Sequence, residues 1–244
     1  MLTGKTLKFN GFRLDSLLAI EEVRRSMLPP ISVASTAVPG LSGEIPLVSR
    51  LGTRKIEVDV RAFATTEAAL WELIREVAAK LYTTAPAELI IDGETTSCMA
   101  MLTGGTDLDQ FFNNAGTTLI FTSFDGLLYG AEVAKSISNR AIVANNGTYK
   151  SEMTAEITLA SAATELTLTN ITTGEFVKVS GLSMAKGGKL IITCGDHDRT
   201  VKYNGIVVMD KVDLNSGFWQ LQPGDNDISC STGSCVIKWR PRYL

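Results

Sequence analysis

Few residues in this chain are equipped for chemistry. Its one histidine, His197, sits in Cys-Gly-Asp-His-Asp-Arg-Thr (194–200), three residues after Cys194. A thiol and an imidazole are the parts of a nucleophile–base couple. Residues three apart on one strand point to opposite faces, however, and a histidine between two aspartates reads as a solvated turn. No Gly-x-Ser-x-Gly is present to present a serine, and nothing places two carboxylates in one cleft. The cysteines Cys98, Cys194, Cys230 and Cys235 make neither a disulfide framework nor a Cys-x-x-Cys zinc pair, so they read as buried thiols. Cys230 and Cys235 could lie across a hairpin, but nothing demands a bond.

Ligand sites fare little better. Gly187-Gly188-Lys189-Leu190 hints at a phosphate loop, but Ser183 stands where the first glycine is needed and Leu190 where Ser or Thr must meet magnesium. Asp225 and Asp227, like Asp196 and Asp198, supply two acids each, too few for a calcium loop and typical of Asx turns. In Phe-Trp-Gln-Leu-Gln-Pro-Gly-Asp-Asn-Asp-Ile-Ser-Cys (218–230), Trp219 could join Tyr203, Trp239 and Tyr243 in an aromatic platform for a sugar. It lies in a strand-like stretch whose neighbours Phe218 and Gln220 take the other face, so a core position is the expectation. The residues therefore assign no catalytic, cofactor or metal site. Trp219 is the one candidate sugar contact.

The elements that would position these groups divide the chain in two. At 244 residues it exceeds one ordinary domain, and 45% apolar residues can build a core. The net charge of −3 does not favour nucleic acid; residues 1–130 hold 11 Lys/Arg against 15 Asp/Glu. No run of 18 apolar residues suggests a membrane helix, and the N-terminus lacks the apolar stretch of a signal peptide, so the protein is expected in the cytoplasm where it is made or to leave by another route.

In the first half, 53–65 alternates Ile56, Val58 and Val60 with Glu57, Asp59 and Arg61, a half-buried strand. Residues 87–94 and 116–124 also read as strands. Leu70, Leu73, Ile74, Val77 and Leu81 share one helical face over about 66–82. Residues 27–52 hold four prolines and little periodicity, which predicts an extended arm reaching another subunit or an irregular surface loop. Weak patterning and Asn-Asn-Gly over 131–150 place the domain boundary there, at 135/136. Beyond it, short strands recur about every ten residues with Asn204-Gly205 and Pro223-Gly224 among the turns, the signature of an antiparallel β-sandwich or jelly roll.

Three motifs stand in order. The first runs from Asn10-Gly11 through Leu28-Pro29 to Val38-Pro39-Gly40-Leu41-Ser42-Gly43 and the strand Arg-Leu-Gly-Thr-Arg-Lys-Ile-Glu-Val (50–58). The second is Phe121, Asp125, Tyr129 and Gly130 in Thr-Leu-Ile-Phe-Thr-Ser-Phe-Asp-Gly-Leu-Leu-Tyr-Gly (118–130). The third is Trp219, Leu221, Pro223-Gly224, Asn226 and Ile228, followed by Val-Ile-Lys-Trp-Arg-Pro-Arg-Tyr-Leu (236–244). With them the chain resembles, over nearly its whole length, the distal tail proteins of bacteriophages with long, non-contractile tails. It departs where Leu41-Ser42 replaces the family's Arg-Asp, and where Gly126 replaces a usual proline and implies a looser turn.

The resemblance implies a mainly β chain. Residues 1–135 would form a ring-forming, β-sandwich-like domain with one helix, and 136–244 a galectin-like antiparallel β-sandwich. It implies a homohexameric ring in the virion, at the tail tip, assembled in the bacterial host cytoplasm without a membrane. The ring would join the tail-tube protein to the tail-associated hub or fibre protein and could carry receptor-binding proteins. No catalytic residue or cofactor comes with the family. Pro29, Pro30, Val38, Pro39, Gly40, Leu41 and Gly43 would then be the inter-subunit arm. Six N-terminal halves would sum to about −24, an acidic lumen through which DNA passes without specific binding. The rival reading is a carbohydrate-binding adhesion module built on Trp219. Against it, the galectin pattern His-x-Asn-x-Arg and Trp-x-x-Glu-x-Arg lacks its Asn, Glu and second Arg here.

Overall fold

The computed structural model describes residues 5–105 and 107–244; residues 1–4, the start of the expected first domain, lie outside them. Contacts divide the chain into one unit running to Tyr129 and another of Gly130–Tyr243. The expected boundary at 135/136 instead falls inside a 13-residue strand, Val133–Asn145. That strand hides in the sequence because only Ile137, Val143 and Asn145 along it are buried, while Lys135, Ser136, Ser138 and Arg140 face water.

In the first unit one antiparallel sheet of eight strands runs in the order Phe12–Arg13, Leu7–Phe9, Ala87–Ile91, Cys98–Gly104, Asn114–Ser123, Arg54–Phe63, Ala19–Arg25, with Asp109–Phe111 beside Asn114–Ser123. Alternation in Arg54–Phe63 buries Ile56, Val58, Val60 and Ala62 and turns the charges outward, where Arg24 meets Asp59 at 2.6 Å. The one α-helix among the described residues, Glu67–Leu81, starts at Thr66, whose hydroxyl accepts the Ala69 N–H at 3.2 Å. It buries Leu70, Val77 and Leu81 in the core formed by the sheet, where Phe9 packs on Phe121 with ring centroids 5.1 Å apart.

The second unit is a β-sandwich. Its strands run Glu175–Met184, Ala163–Asn170, Gly224–Trp239, Met153–Thr158, Lys189–Cys194, Arg199–Tyr203, Ile206–Val207, with Val133–Asn145 along Gly224–Trp239. Asn204 and Gly205, both at positive φ, make the hairpin turn that the sequence announces. The expected run of short strands is broken at its end by one strand of 16 residues, Gly224–Trp239. Its Ile228–Cys230 stretch pairs with Ala163–Asn170 and its Ser234–Trp239 stretch with Met153–Thr158. Between these stretches the register against Val133–Asn145 shifts, at Ser138/Arg140. One strand thus serves both layers, and their inward residues share a single core, Leu166, Leu168, Val177 and Val179 with Ala155, Ile157, Ile192 and Val201.

The Pro223-Gly224 corner is held by Asn226, which is fully buried. Its amide donates to the carbonyls of Gln222 at 2.8 Å and Gly224 at 3.0 Å, and its Oδ1 accepts the Gln222 N–H at 2.9 Å. Removing it strands several buried polar groups. Asn226→Ala is expected to lower unfolding free energy by about 3 kcal/mol, read by urea denaturation, whereas Asp225→Ala on the exposed side of the same corner leaves it within about 0.5 kcal/mol.

Candidate assembly hairpin and its base

Residues 27–52 are neither an irregular loop nor an unpaired extended arm. Ile31–Ala37 and Glu44–Leu51 form an antiparallel hairpin in a two-stranded sheet of its own. The prolines permit this by their places: Pro30 precedes the first strand, Pro39 lies in the turn, and Pro46 sits at the register shift between Ala34 and Ser35. At the tip, Pro39 and Gly40 occupy the centre of a turn closed by the Leu41 N–H on the Val38 carbonyl at 3.0 Å; Gly40 takes a φ of 86°. Every residue from 30 to 50 is exposed. Ile31, Val33, Val38, Leu41, Ile45, Leu47 and Val48 all stand in water, Leu47 at 63% exposure. An isolated two-stranded hairpin is at best marginally stable in water, and so dense a run of exposed apolar side chains marks a surface built to be covered.

The hairpin is held at its base. The Gly52 N–H donates to the Pro30 carbonyl at 2.6 Å, joining the two legs. Pro29 is buried, so of the seven predicted arm residues it belongs to the anchor, while the other six lie on the hairpin. Beneath the legs is Arg54, 2% exposed; its Nε donates to the Gly126 carbonyl at 3.1 Å and its Nη1 to the Ser26 carbonyl at 3.3 Å. Burial pulls Arg54 below the ordinary guanidinium value, an effect that nearby Cys98 and Asp125 partly offset.

The turn carrying Gly126 is not loose. Asp125 accepts from the Ser123 hydroxyl at 2.8 Å, from the Leu127 N–H at 3.1 Å and from the Tyr129 hydroxyl. Gly126 itself takes a φ of 69°, which the fixed ring of proline cannot reach. A Cβ there would meet the Gly52 carbonyl oxygen at 2.6 Å and the Pro29 Cβ at 2.9 Å. The absence of a side chain at 126 is thus what lets the hairpin base close.

The other candidates are placed apart from this surface. Trp219 is 1% exposed in the sandwich core, in an irregular segment rather than a strand, and offers no ring face to a sugar. Cys194 is buried, which pushes its thiol up to about 12, while His197 is exposed on its turn. Of the two acids beside the Pro-Gly corner, Asp225 is exposed and Asp227 is paired with Arg140 at 2.9 Å, holding its carboxyl below the usual range. Cys230 and Cys235 are free and buried, in one strand. Among the described residues no group of three or more His, Cys, Asp or Glu could hold a metal, and no helix is long and apolar enough to cross a membrane. Sequence reasoning missed Arg54, although the signal was there: period two places it on the same face as Ile56 and Val58.

Comparison with known proteins gives this architecture its class. Residues 15–122 match the phage tail protein RIFT-related domain, and residues 146–243 the siphovirus-type tail component, C-terminal domain. The chain is a two-domain tail component of long-tailed phages, and it belongs to the distal tail protein family. It is 25% identical to the distal tail protein of Bacillus phage SPP1 over 98% of this chain and 96% of that one. The crystal structure of SPP1 Dit, described as a paradigm of the hub adsorption apparatus in phages infecting Gram-positive bacteria, superposes with a TM-score of 0.88 at 20% identity, over 98% of this chain and 99% of that one. A chain of the phage P2 baseplate in its activated conformation with Ca shares the fold more distantly, with a TM-score of 0.53 at 8% identity over 96% and 97%.

Two variants test the base. Arg54→Met leaves the Ser26 and Gly126 carbonyls without their donor and is expected to cost about 3 kcal/mol in urea unfolding. Replacing 31–51 by a short Gly-Ser turn between Pro30 and Gly52 is expected to leave the thermal midpoint within about 2 °C of the wild type's at concentrations where the wild type is unassociated, because residues 31–50 are all exposed.

Proposed function

We propose that this protein is a structural subunit of the phage tail tip, a distal tail protein that closes into a homohexameric ring. The ring joins the tail-tube protein on one side to the tail-associated hub or fibre protein and the host-adhesion device on the other. The observation that carries the reading is the hairpin, whose residues 30–50 are exposed throughout and rich in apolar side chains above a tightly bonded base. Such a surface suits a heterologous contact, in which an element of one copy seats on a different surface of the next and the rotation closes a ring. Membership in the distal tail protein family, and the SPP1 likeness over nearly the full chain, support the same reading.

The N-terminal unit forms the ring in this reading, and its excess of 15 acids over 11 bases disfavours phosphate binding, so DNA passes the lumen without being held. The C-terminal sandwich is the platform toward adhesion proteins. The mechanism is geometric and uses no catalytic residue or cofactor. The protein acts in the virion after assembly in the host cytoplasm.

Light scattering and particle images of the purified protein are expected to give rings of six copies. Leu47→Asp, which places a charge at the most exposed large apolar position of the hairpin strands, is expected to shift the protein to folded monomers whose melting temperature does not rise with protein concentration, as that of the wild-type ring does. A wild-type monomer at every concentration would overturn the reading.

A further inference from the structure

We infer that the socket for the hairpin is the recess beneath the helix Glu67–Leu81 of a second copy; this rests on the ring reading above. The recess measures about 370 Å³, many times the roughly 30 Å³ that a water occupies in the liquid. Val60, Ile74, Val77, Leu102, Leu108 and Leu119 line it, so water gains few partners there. No residue of the hairpin lines it within the same chain, and the hairpin's own exposure shows that it covers nothing in its own copy.

Two observations select an extended apolar peptide as the occupant. The hairpin supplies exposed apolar side chains to an apolar recess, and both of its outer edges carry backbone groups that pair with no strand among the described residues. The recess in turn holds a polar group with nothing to bind: the Thr83 hydroxyl on its wall is buried and has no hydrogen-bond partner among the described residues. A hydrocarbon would leave that hydroxyl unsatisfied, whereas a strand edge offers it a carbonyl or an N–H. One copy thus carries an apolar strand pair without cover and an apolar recess without an occupant, on different surfaces of the same unit. This is the requirement for a contact that propagates from copy to copy.

The test is a photo-crosslink in the full chain. Leu47 is replaced by benzoylphenylalanine, with the same label at Ile45 as an independent reading, and the linked peptides are identified by mass spectrometry. The expected result is linkage to 73–83 or 102–119 of a second copy. Ala78→Trp fills the recess from the exposed side of the helix; it is expected to reduce the linkage at least 10-fold while circular dichroism shows the fold unchanged. Thr83→Val is expected to weaken association about 2- to 10-fold, the worth of one hydrogen bond. Rings that persist with linkage elsewhere, or linkage unaffected by Ala78→Trp, would overturn the socket and leave the ring reading standing. Failure of the wild type to associate at all would remove both.

Discussion

A guanidinium sits where alternation calls for a hydrophobic side chain. Arg54 heads the inward face that continues through Ile56, Val58 and Val60; its Nε and Nη1 donate to two backbone carbonyls, of Gly126 and Ser26, while its Nη2 is buried with no partner among the described residues. A buried charge is costly unless hydrogen-bonded, so these partners must stay in place. That requirement fixes three separated stretches against one another: the end of Ala19–Arg25 with the following Ser26, the start of Arg54–Phe63, and the Asp125–Gly126 turn. Gly52 and Pro29 are caught between them. The hairpin leaves the body at a direction set by this knot, although none of its residues from 30 to 50 touches a core.

Buried and exposed apolar side chains are thereby assigned to different parts of the first unit. The sheet and the helix carry the buried side chains, and the hairpin carries exposed ones. The recess beneath the helix belongs to the body, and so it survives changes in the hairpin. In the second unit, polar anchoring takes another form. Asn226 binds its own corner, and Asn145 joins the Leu221 carbonyl at 3.1 Å to the Gly147 N–H at 3.1 Å. Neither is a site; each replaces a backbone ladder where the chain must turn.

Much of this was legible in the residues because periodicity survives wherever one face meets a core. The helix, the strand 54–63 and the Asn204-Gly205 hairpin announce themselves in that way. The strand Val133–Asn145 does not, because most of its positions face water. The hairpin at 31–51 leaves no such signal for the same reason, since with neither face buried no apolar alternation is imposed on it. Trp219 illustrates the reverse error: its neighbours suggest a strand, yet the indole is buried from an irregular segment by packing alone. The recess could not be read from the sequence, because Val60, Ile74, Leu102 and Leu119 each look like ordinary core positions and only their spacing in three dimensions leaves room between them.

The strand Gly224–Trp239 has a mechanical consequence. Together with Val133–Asn145 it runs through both layers of the sandwich, so the layers are joined by continuous backbone rather than by side-chain packing alone. Ladder hydrogen bonds lie perpendicular to the strand. A pull along this strand therefore loads them in shear, many at once, instead of peeling them apart in sequence. In the role proposed above, between a tail tube and an adhesion device, tension directed along this strand would meet the whole ladder at once.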